Sequence, residues 1–211
     1  QGWVIREWAP NATDIFLIGN FSEWKENTKY RFLKLKNGVW ELKLKTGEIK
    51  HLDLYKLSMH WNGGHGERIP AWATRVVQDE KTYIFSAQVW SPSRPYKFKK
   101  KKFKPQISPL LIYECHIGMA QEEERIGSYN EFREKILPRI AKDGYNAIQI
   151  MAIQEHPYYG SFGYHVSSFF APSSRFGTPD ELKQLIDEAH ASGIAVIMDI
   201  VHSHAVKNEV E

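Results

Sequence analysis

Over residues 1–96, apolar side chains alternate with polar ones in short runs, at 14–18, 39–44, 52–59 and 82–85, rich in aromatic and β-branched residues. Turn signals separate the runs: Gly19-Asn20, Asn37-Gly38, Asn62-Gly63-Gly64 and Ser91-Pro92-Ser93. A two-residue period turns one face of each strand to a core and the other to water, so this region predicts an all-β sandwich.

Beyond residue 110 the period changes. Residues 110–115 form a near-continuous apolar run, the pattern of a strand buried on both faces. Ser128 and Glu131 make a capping box, Phe132, Ile136 and Ile140 form one apolar stripe, and Gly144 supplies a stop, which together predict a helix. Pro138 interrupts that stripe and predicts a kink or an early break. Residues 147–151 read as a second buried strand. Thr178, Pro179 and Glu181 open a second helix with Leu182, Leu185, Ile186 and Ala189 on its inner face and Gly193 at its end, and residues 194–201 read as a third strand. The order β-α-β-α-β forces parallel pairing through helical crossovers. An eight-fold barrel takes about 250 residues and a doubly wound sheet wants further strands. The chain is therefore expected to be a truncated part of a longer enzyme, with a sandwich over 1–104 and an α/β part over 105–211.

Composition narrows this picture little. The chain has 42% hydrophobic and 25% charged residues, ordinary for a globular protein, and no run of about 18 apolar residues that would span a membrane. The N-terminus lacks a signal peptide's layout, so neither membrane insertion nor secretion is expected. A lone Cys115 forms no internal disulfide, excludes a Cys-rich zinc module and fits a reducing cytoplasm. With 28 Lys and Arg against 25 Asp and Glu the net charge is only +3, although residues 97–104 alone carry six lysines. That run reads either as a nucleic-acid patch or as a solvated interdomain connector. The offsetting charge elsewhere and the lack of a recognition module favour the connector, and no nucleic-acid partner is expected.

Chemistry in parallel α/β folds sits at the carboxyl ends of strands. Three features fall there: Glu114-Cys115-His116 after the first strand, the aromatic loop of residues 154–165 after the second, and Asp199-Ile200-Val201-His202-Ser203-His204 after the third. Asp199 is the best single candidate, since an acid directly after an apolar strand must have partners or face a cavity. His202 and His204 at alternate positions are a weak metal signal, and hydrogen bonding is the plainer use; no metal and no cofactor are expected. Glu155 reads as a general acid or a surface ion pair, and Cys115 as a nucleophile or a small core residue.

The ordered segments Ile112-Tyr113-Glu114-Cys115-His116-Ile117-Gly118, Leu137-Pro138-Arg139-Ile140, Met151-Ala152-Ile153-Gln154-Glu155-His156, Ser161-Phe162-Gly163-Tyr164, Phe169-Phe170-Ala171-Pro172-Ser173-Ser174-Arg175-Phe176-Gly177-Thr178-Pro179 and Asp199 to His204 closely resemble the 1,4-α-glucan (glycogen or starch) branching enzymes, eukaryotic-type, of the α-amylase clan. Arg6-Glu7-Trp8-Ala9-Pro10, Gly19-Asn20-Phe21-Ser22-Glu23-Trp24 and Ile69-Pro70-Ala71-Trp72 resemble the immunoglobulin-like glycan-binding sandwich that precedes the barrel in these enzymes.

The resemblance implies the first units of a (β/α)8 TIM barrel and retaining transfer that makes α-1,6 branches, with the nucleophile and acid/base lying beyond Glu211 and no catalytic residue in this chain. It implies a sugar pocket of Tyr164, which stacks on the sugar, with His204, Asp199 and the less certain His165. On the sandwich it implies glucan contacts from Trp8, Pro10, Trp24, Asn37, Gly38 and Lys56. Trp61 reads as a lid over the sugar or as a loop anchor. The implied partner is an α-1,4-glucan such as glycogen or amylose, and the implied location cytoplasmic. An unpaired barrel edge predicts self-association. The rival readings are a stand-alone glucan-binding module and a debranching or hydrolytic member of the clan.

Overall fold

The structure is a computed structural model that describes residues 2–106 and 109–206. It divides into two compact units, one of residues 2–93 with 168–171, the other of the described residues of 94–167 and 172–206.

The first unit is two antiparallel sheets. In one, β1 (Gly2–Trp8), β3 (Leu33–Lys34) and β4 (Val39–Lys45) follow the order β1-β4-β3. In the other, β2 (Ala12–Gly19), β5 (Leu54–Trp61), β8 (Phe85–Gln88) and β7 (Val76–Gln78) lie in the order β2-β5-β8-β7, with β6 (Gly64–Arg68) on β5. The two-residue period is visible in β4, where Trp40, Leu42 and Leu44 are buried while Lys43 and Lys45 are exposed. These side chains share one core with Ile15 and Leu17 of β2 and Leu57 and Met59 of β5. Each such side chain contributes roughly 1.5–3 kcal/mol when fully buried. A smaller cluster holds Ile69, Val76, Phe85, Ala87 and Ala171.

Two differences from the sequence reading concern strands. The stretch 82–85 is a turn, because Asp79 Oδ1 accepts from Lys81 N, Thr82 N and Thr82 Oγ1 and Tyr83 takes a φ of 60°. The strand begins only at Phe85. Strands β1, β3, β6 and β7 were not anticipated; β6 pairs through a turn at Asn62-Gly63 that sets Trp61 opposite Gly64.

In the second unit β9 (Ile112–Cys115) and β10 (Ala147–Ile150) are parallel, the short strand β11 (Gln154–Glu155) follows in the chain, and β13 (Ala195–Met198) completes a parallel sheet of order β13-β10-β9; of β12 (Ser168–Pro172), residues 168–171 belong to the first unit. Among the described residues no closed barrel is present. Only the central strand is buried throughout its aliphatic positions; Ile112 is 42% and Met198 44% exposed, because each outer strand has a neighbour on one side alone among the described residues.

Both helix starts form as their caps dictate. Ser128 and Glu131 exchange bonds (Glu131 N to Ser128 Oγ, 3.2 Å; Ser128 N to Glu131 Oε2, 3.1 Å) ahead of α1 (Tyr129–Glu131), and Thr178 and Glu181 do the same ahead of α3 (Pro179–Ala191). Pro138 does not end the first helix. The chain opens into a π-turn at Phe132–Ile136 and continues as α2 (Leu137–Lys142), since Pro138 offers no N–H to the preceding turn and its ring crowds the carbonyl there. Gly144 and Gly193 terminate the two helices with φ of 86° and 78°.

The lysine-rich run is no free connector. The buried Asp187 of α3 accepts from Tyr96 Oη (2.7 Å), Lys99 N (2.7 Å) and Lys100 N (2.8 Å), and the Phe103 ring stacks on His190 at 4.1 Å. By their contacts the described residues from Arg94 onward group with the second unit.

Candidate functional site

The loop after β10 is built on a buried carboxylate. Glu155, 0% exposed, accepts from Ser174 N (2.8 Å), Ser173 Oγ (3.1 Å) and His156 N (3.1 Å), with Arg175 Nη1 at 3.5 Å. Arg175 also donates to the carbonyls of His156 and Pro157, and Gln154 Oε1 accepts from Val201 N (3.2 Å), tying the loop to the segment after β13. Burial pushes the Glu155 pKa up and that of His156 down. Glu155 is thus neither a surface ion pair nor open to solvent; it staples the two ends of the loop.

Between those ends the backbone turns sharply to present Tyr164. Phe162 and Gly163 take φ of 53° and 87°, and a Cβ on Gly163 would lie 1.6 Å from the Ala152 carbonyl oxygen, so only glycine fits. Tyr164 packs against Ala152, Val166 and Val201, and its hydroxyl donates to Asp199 Oδ2 at 3.0 Å. Burial, then the Asp199 carboxylate, raises the Tyr164 pKa. Asp199 follows β13 directly and is positioned by its own N–H, which donates to Ile150 O at 3.0 Å. The structure therefore joins Tyr164 to Asp199. It does not join His165 or His204 to them: both are exposed, and His204 Nδ1 pairs with Ser203 Oγ at 2.9 Å. Among the described residues no three His, Cys, Asp or Glu side chains are grouped to hold a metal. Cys115 is buried, donates to Gln149 O, and has its pKa pushed up to about 12 by burial, which makes it a core residue.

His116 was named from the sequence as part of the segment that closes the first strand, with no role of its own. It is buried, with Tyr159, Phe162 and Phe176 edge-on at 5.5–5.9 Å, and neither ring nitrogen has a partner among the described residues. Its place after an apolar strand was legible, but the cage around it depends on the path of a loop more than 40 positions away in the chain.

On the sandwich, four of the six expected contacts meet. Trp8, 62% exposed, donates its indole N–H to Asn37 O (3.1 Å), Ala9 N donates to Gly38 O (2.8 Å), and a Cβ on Gly38 would lie 2.8 Å from Pro10 Cα. Asn37 and Gly38 both sit at positive φ, 60° and 76°, which shapes the turn under the Trp8 ring. Buried Glu7 accepts from Trp8 N and Ala71 N and anchors the strand end. Trp8, Pro10, Met59, Trp61 and Arg68 line an open groove of about 320 Å³. Trp61 lies at the end of β5 and covers Gly64 and Gly66 of β6, so it is held by a hairpin as well as exposed. Trp24 stands apart from this cluster. It follows Glu23, also left-handed, at a φ of 58°, and its N–H donates to Gly19 O at 2.8 Å, leaving the ring 40% exposed. Two consecutive non-glycine residues in that region carry strain, as functional positions do. Lys56 is 4% exposed, with its ammonium 3.6 Å from Glu67.

Comparison with known proteins agrees with both halves. Residues 1–73 match the carbohydrate-binding module 48 (isoamylase N-terminal domain) family, and residues 121–210 match the alpha amylase, catalytic domain family. The chain is 46% identical to the 1,4-alpha-glucan-branching enzyme of Eremothecium gossypii, over 96% of this chain and 31% of that protein. It is 44% identical to that of Dictyostelium discoideum, over 100% of this chain and 32% of that protein. It is 46% identical to 1,4-alpha-glucan-branching enzyme 2-2, chloroplastic/amyloplastic, of Arabidopsis thaliana, over 100% of this chain and 27% of that protein. Among solved structures, a pullulanase from Bacillus acidopullulyticus shares the fold with a TM-score of 0.80 at 21% identity, over 99% of this chain and 29% of that one. The chain spans about a third of the length of the curated relatives it matches. By sequence, then, the chain is similar to about a third of the length of the 1,4-alpha-glucan-branching enzymes, with one segment that matches the carbohydrate-binding module 48 family and a second that matches the alpha amylase, catalytic domain family.

Proposed function

We propose that this chain supplies glucan binding and the donor-side sugar pocket of an enzyme that cleaves an α-1,4 glucan and rejoins it as an α-1,6 branch. The Tyr164–Asp199 hydrogen bond, set beyond the ends of β10 and β13 in a chain 44–47% identical to branching enzymes, carries the reading. In it, the Tyr164 ring offers a flat face to the C–H side of a glucose unit. Asp199 fixes that ring through its hydroxyl and keeps its other oxygen for a sugar hydroxyl. His204, with His165 beside Tyr164, approaches the same sugar from solvent. Covalent retaining chemistry belongs to the nucleophile and acid/base that the resemblance places after Glu211. Trp8, Pro10, Asn37 and Gly38, with Trp24, hold the polymer on the sandwich; Lys56 acts through its ion pair with Glu67. The partner is an α-1,4-glucan such as glycogen or amylose, and the compartment the cytoplasm, in keeping with a single buried thiol.

Maltoheptaose and glycogen binding to the 211-residue chain, with Trp8→Ala and Trp24→Ala beside wild type, tests the reading. Each substitution is expected to weaken binding about tenfold or more, ~1.4 kcal/mol. No binding by wild type overturns it. A branching assay on the same chain is expected to be blank, and branch formation would overturn the placement of the catalytic carboxylates elsewhere.

A further inference from the structure

We propose that residues 97–104 form an anion-binding ribbon that takes phosphate monoesters carried on a glucan chain; the glucan part rests on the function proposed above. Six of these eight residues are lysine, all six are exposed, and none of their ammonium groups is hydrogen-bonded or ion-paired among the described residues. The rest of the chain nets −3, since the total is +3 and the ribbon holds +6, so the positive charge is local to this segment.

What separates this run from a solvated linker is its fixed backbone. The Asp187 carboxylate takes the Tyr96 hydroxyl and the N–H groups of Lys99 and Lys100, and Phe103 lies flat on His190 four residues further along the ribbon, with an interplanar angle of 7°. Both anchors belong to α3, so the ribbon is laid along one helix with its lysine side chains directed to water. Holding six like charges on a fixed track of at most ~29 Å is unfavourable by self-repulsion, and a bound polyanion relieves it.

The interleaved aromatic residues narrow the partner. The Phe103 face is covered by His190, and Phe98 sits edge-on to Tyr96 at 5.7 Å and 89°. Successive free faces on which bases would stack are therefore lacking, which disfavours single-stranded nucleic acid. Lysine ammonium groups act as compact point charges suited to phosphate. A polymer of sugars bearing scattered phosphate esters meets both conditions.

The test measures binding of the 211-residue chain to phosphorylated amylopectin, to the same glucan after phosphatase treatment, and to an oligothymidylate. Wild type is expected to hold the phosphorylated glucan about tenfold tighter than the treated one, with the difference shrinking between 50 and 200 mM salt. Replacing the six lysines with glutamine is expected to abolish the difference, and replacing them with arginine to keep it. Equal affinity for the two glucans, or tighter binding of the oligothymidylate than of the phosphorylated glucan, overturns the proposal. If the treated glucan is not bound while the phosphorylated one is, the ribbon stands and the branching reading falls.

Discussion

Both ring nitrogens of His116 are buried without partners among the described residues, an arrangement that penalises a proton more than it penalises the ring. Burial holds the pKa of His116, and likewise of His156 and His190, below the ordinary imidazole range. For each, the folded pKa lies under the unfolded one, so the unfolded chain takes up protons first and stability falls as pH drops below about 6.5. His116→Phe removes two unpartnered atoms from an aromatic cage. It is expected to leave stability at pH 7.5 within about 1 kcal/mol of wild type and to flatten the acid side of the profile. Urea titrations at pH 7.5 and 5.5 check this, and an undiminished acid loss in the variant would refute it. Gly163→Ala acts in the opposite sense: a methyl group 1.6 Å from a carbonyl oxygen, at a φ of 87°, forces the backbone to move. A loss of more than about 2 kcal/mol in thermal unfolding is expected, with Tyr164 displaced from Asp199. Tyr164 and Asp199 were legible in the sequence, one through resemblance and one as an acid closing an apolar strand. The Glu155–Arg175 staple was not, because the burial of a loop carboxylate depends on the path of the chain to a residue 20 positions later.

At the scale of elements, local chemistry was read well and edges poorly. Capping boxes at Ser128 and Thr178 are decided by bonds within four residues, and both helices start where those bonds form. Strand β6, with two glycines and mostly polar residues, has no hydrophobic signature; it exists because β5 offers it a ladder beyond a two-residue turn. The stretch 82–85 had the composition of a strand, yet the Asp79 side chain captured its backbone donors. The outer strands β9 and β13 carry exposed Ile112, Tyr113 and Met198 beside backbone groups with one neighbour among the described residues. Such edges template association. The 211-residue chain is expected to sediment as oligomers that grow with concentration, and a monodisperse monomer across the range would refute this.

For the molecule as a whole, the change of architecture along the chain was legible from the change of hydrophobic period, whereas the anchoring of residues 97–104 was not. Six lysines in eight residues look the same in a linker and in a pinned ribbon, and only Asp187, more than 80 positions later, distinguishes them. Asp187→Ala removes a charged acceptor of three bonds, each worth about 1.5–3 kcal/mol. Trypsin is expected to cut within residues 97–104 at least about tenfold faster in this variant, by freeing the segment to open locally. Equal cutting rates would show that the carboxylate does not hold the ribbon. On the other unit, the Trp8 indole has a single donor, and Asn37 already takes it. A ring so clamped has only its faces to give. On the function proposed above, such a ring offers an apolar face to a sugar but no hydrogen bond by which to tell one hydroxyl pattern or chain end from another, so discrimination among sugars would have to arise elsewhere in the protein.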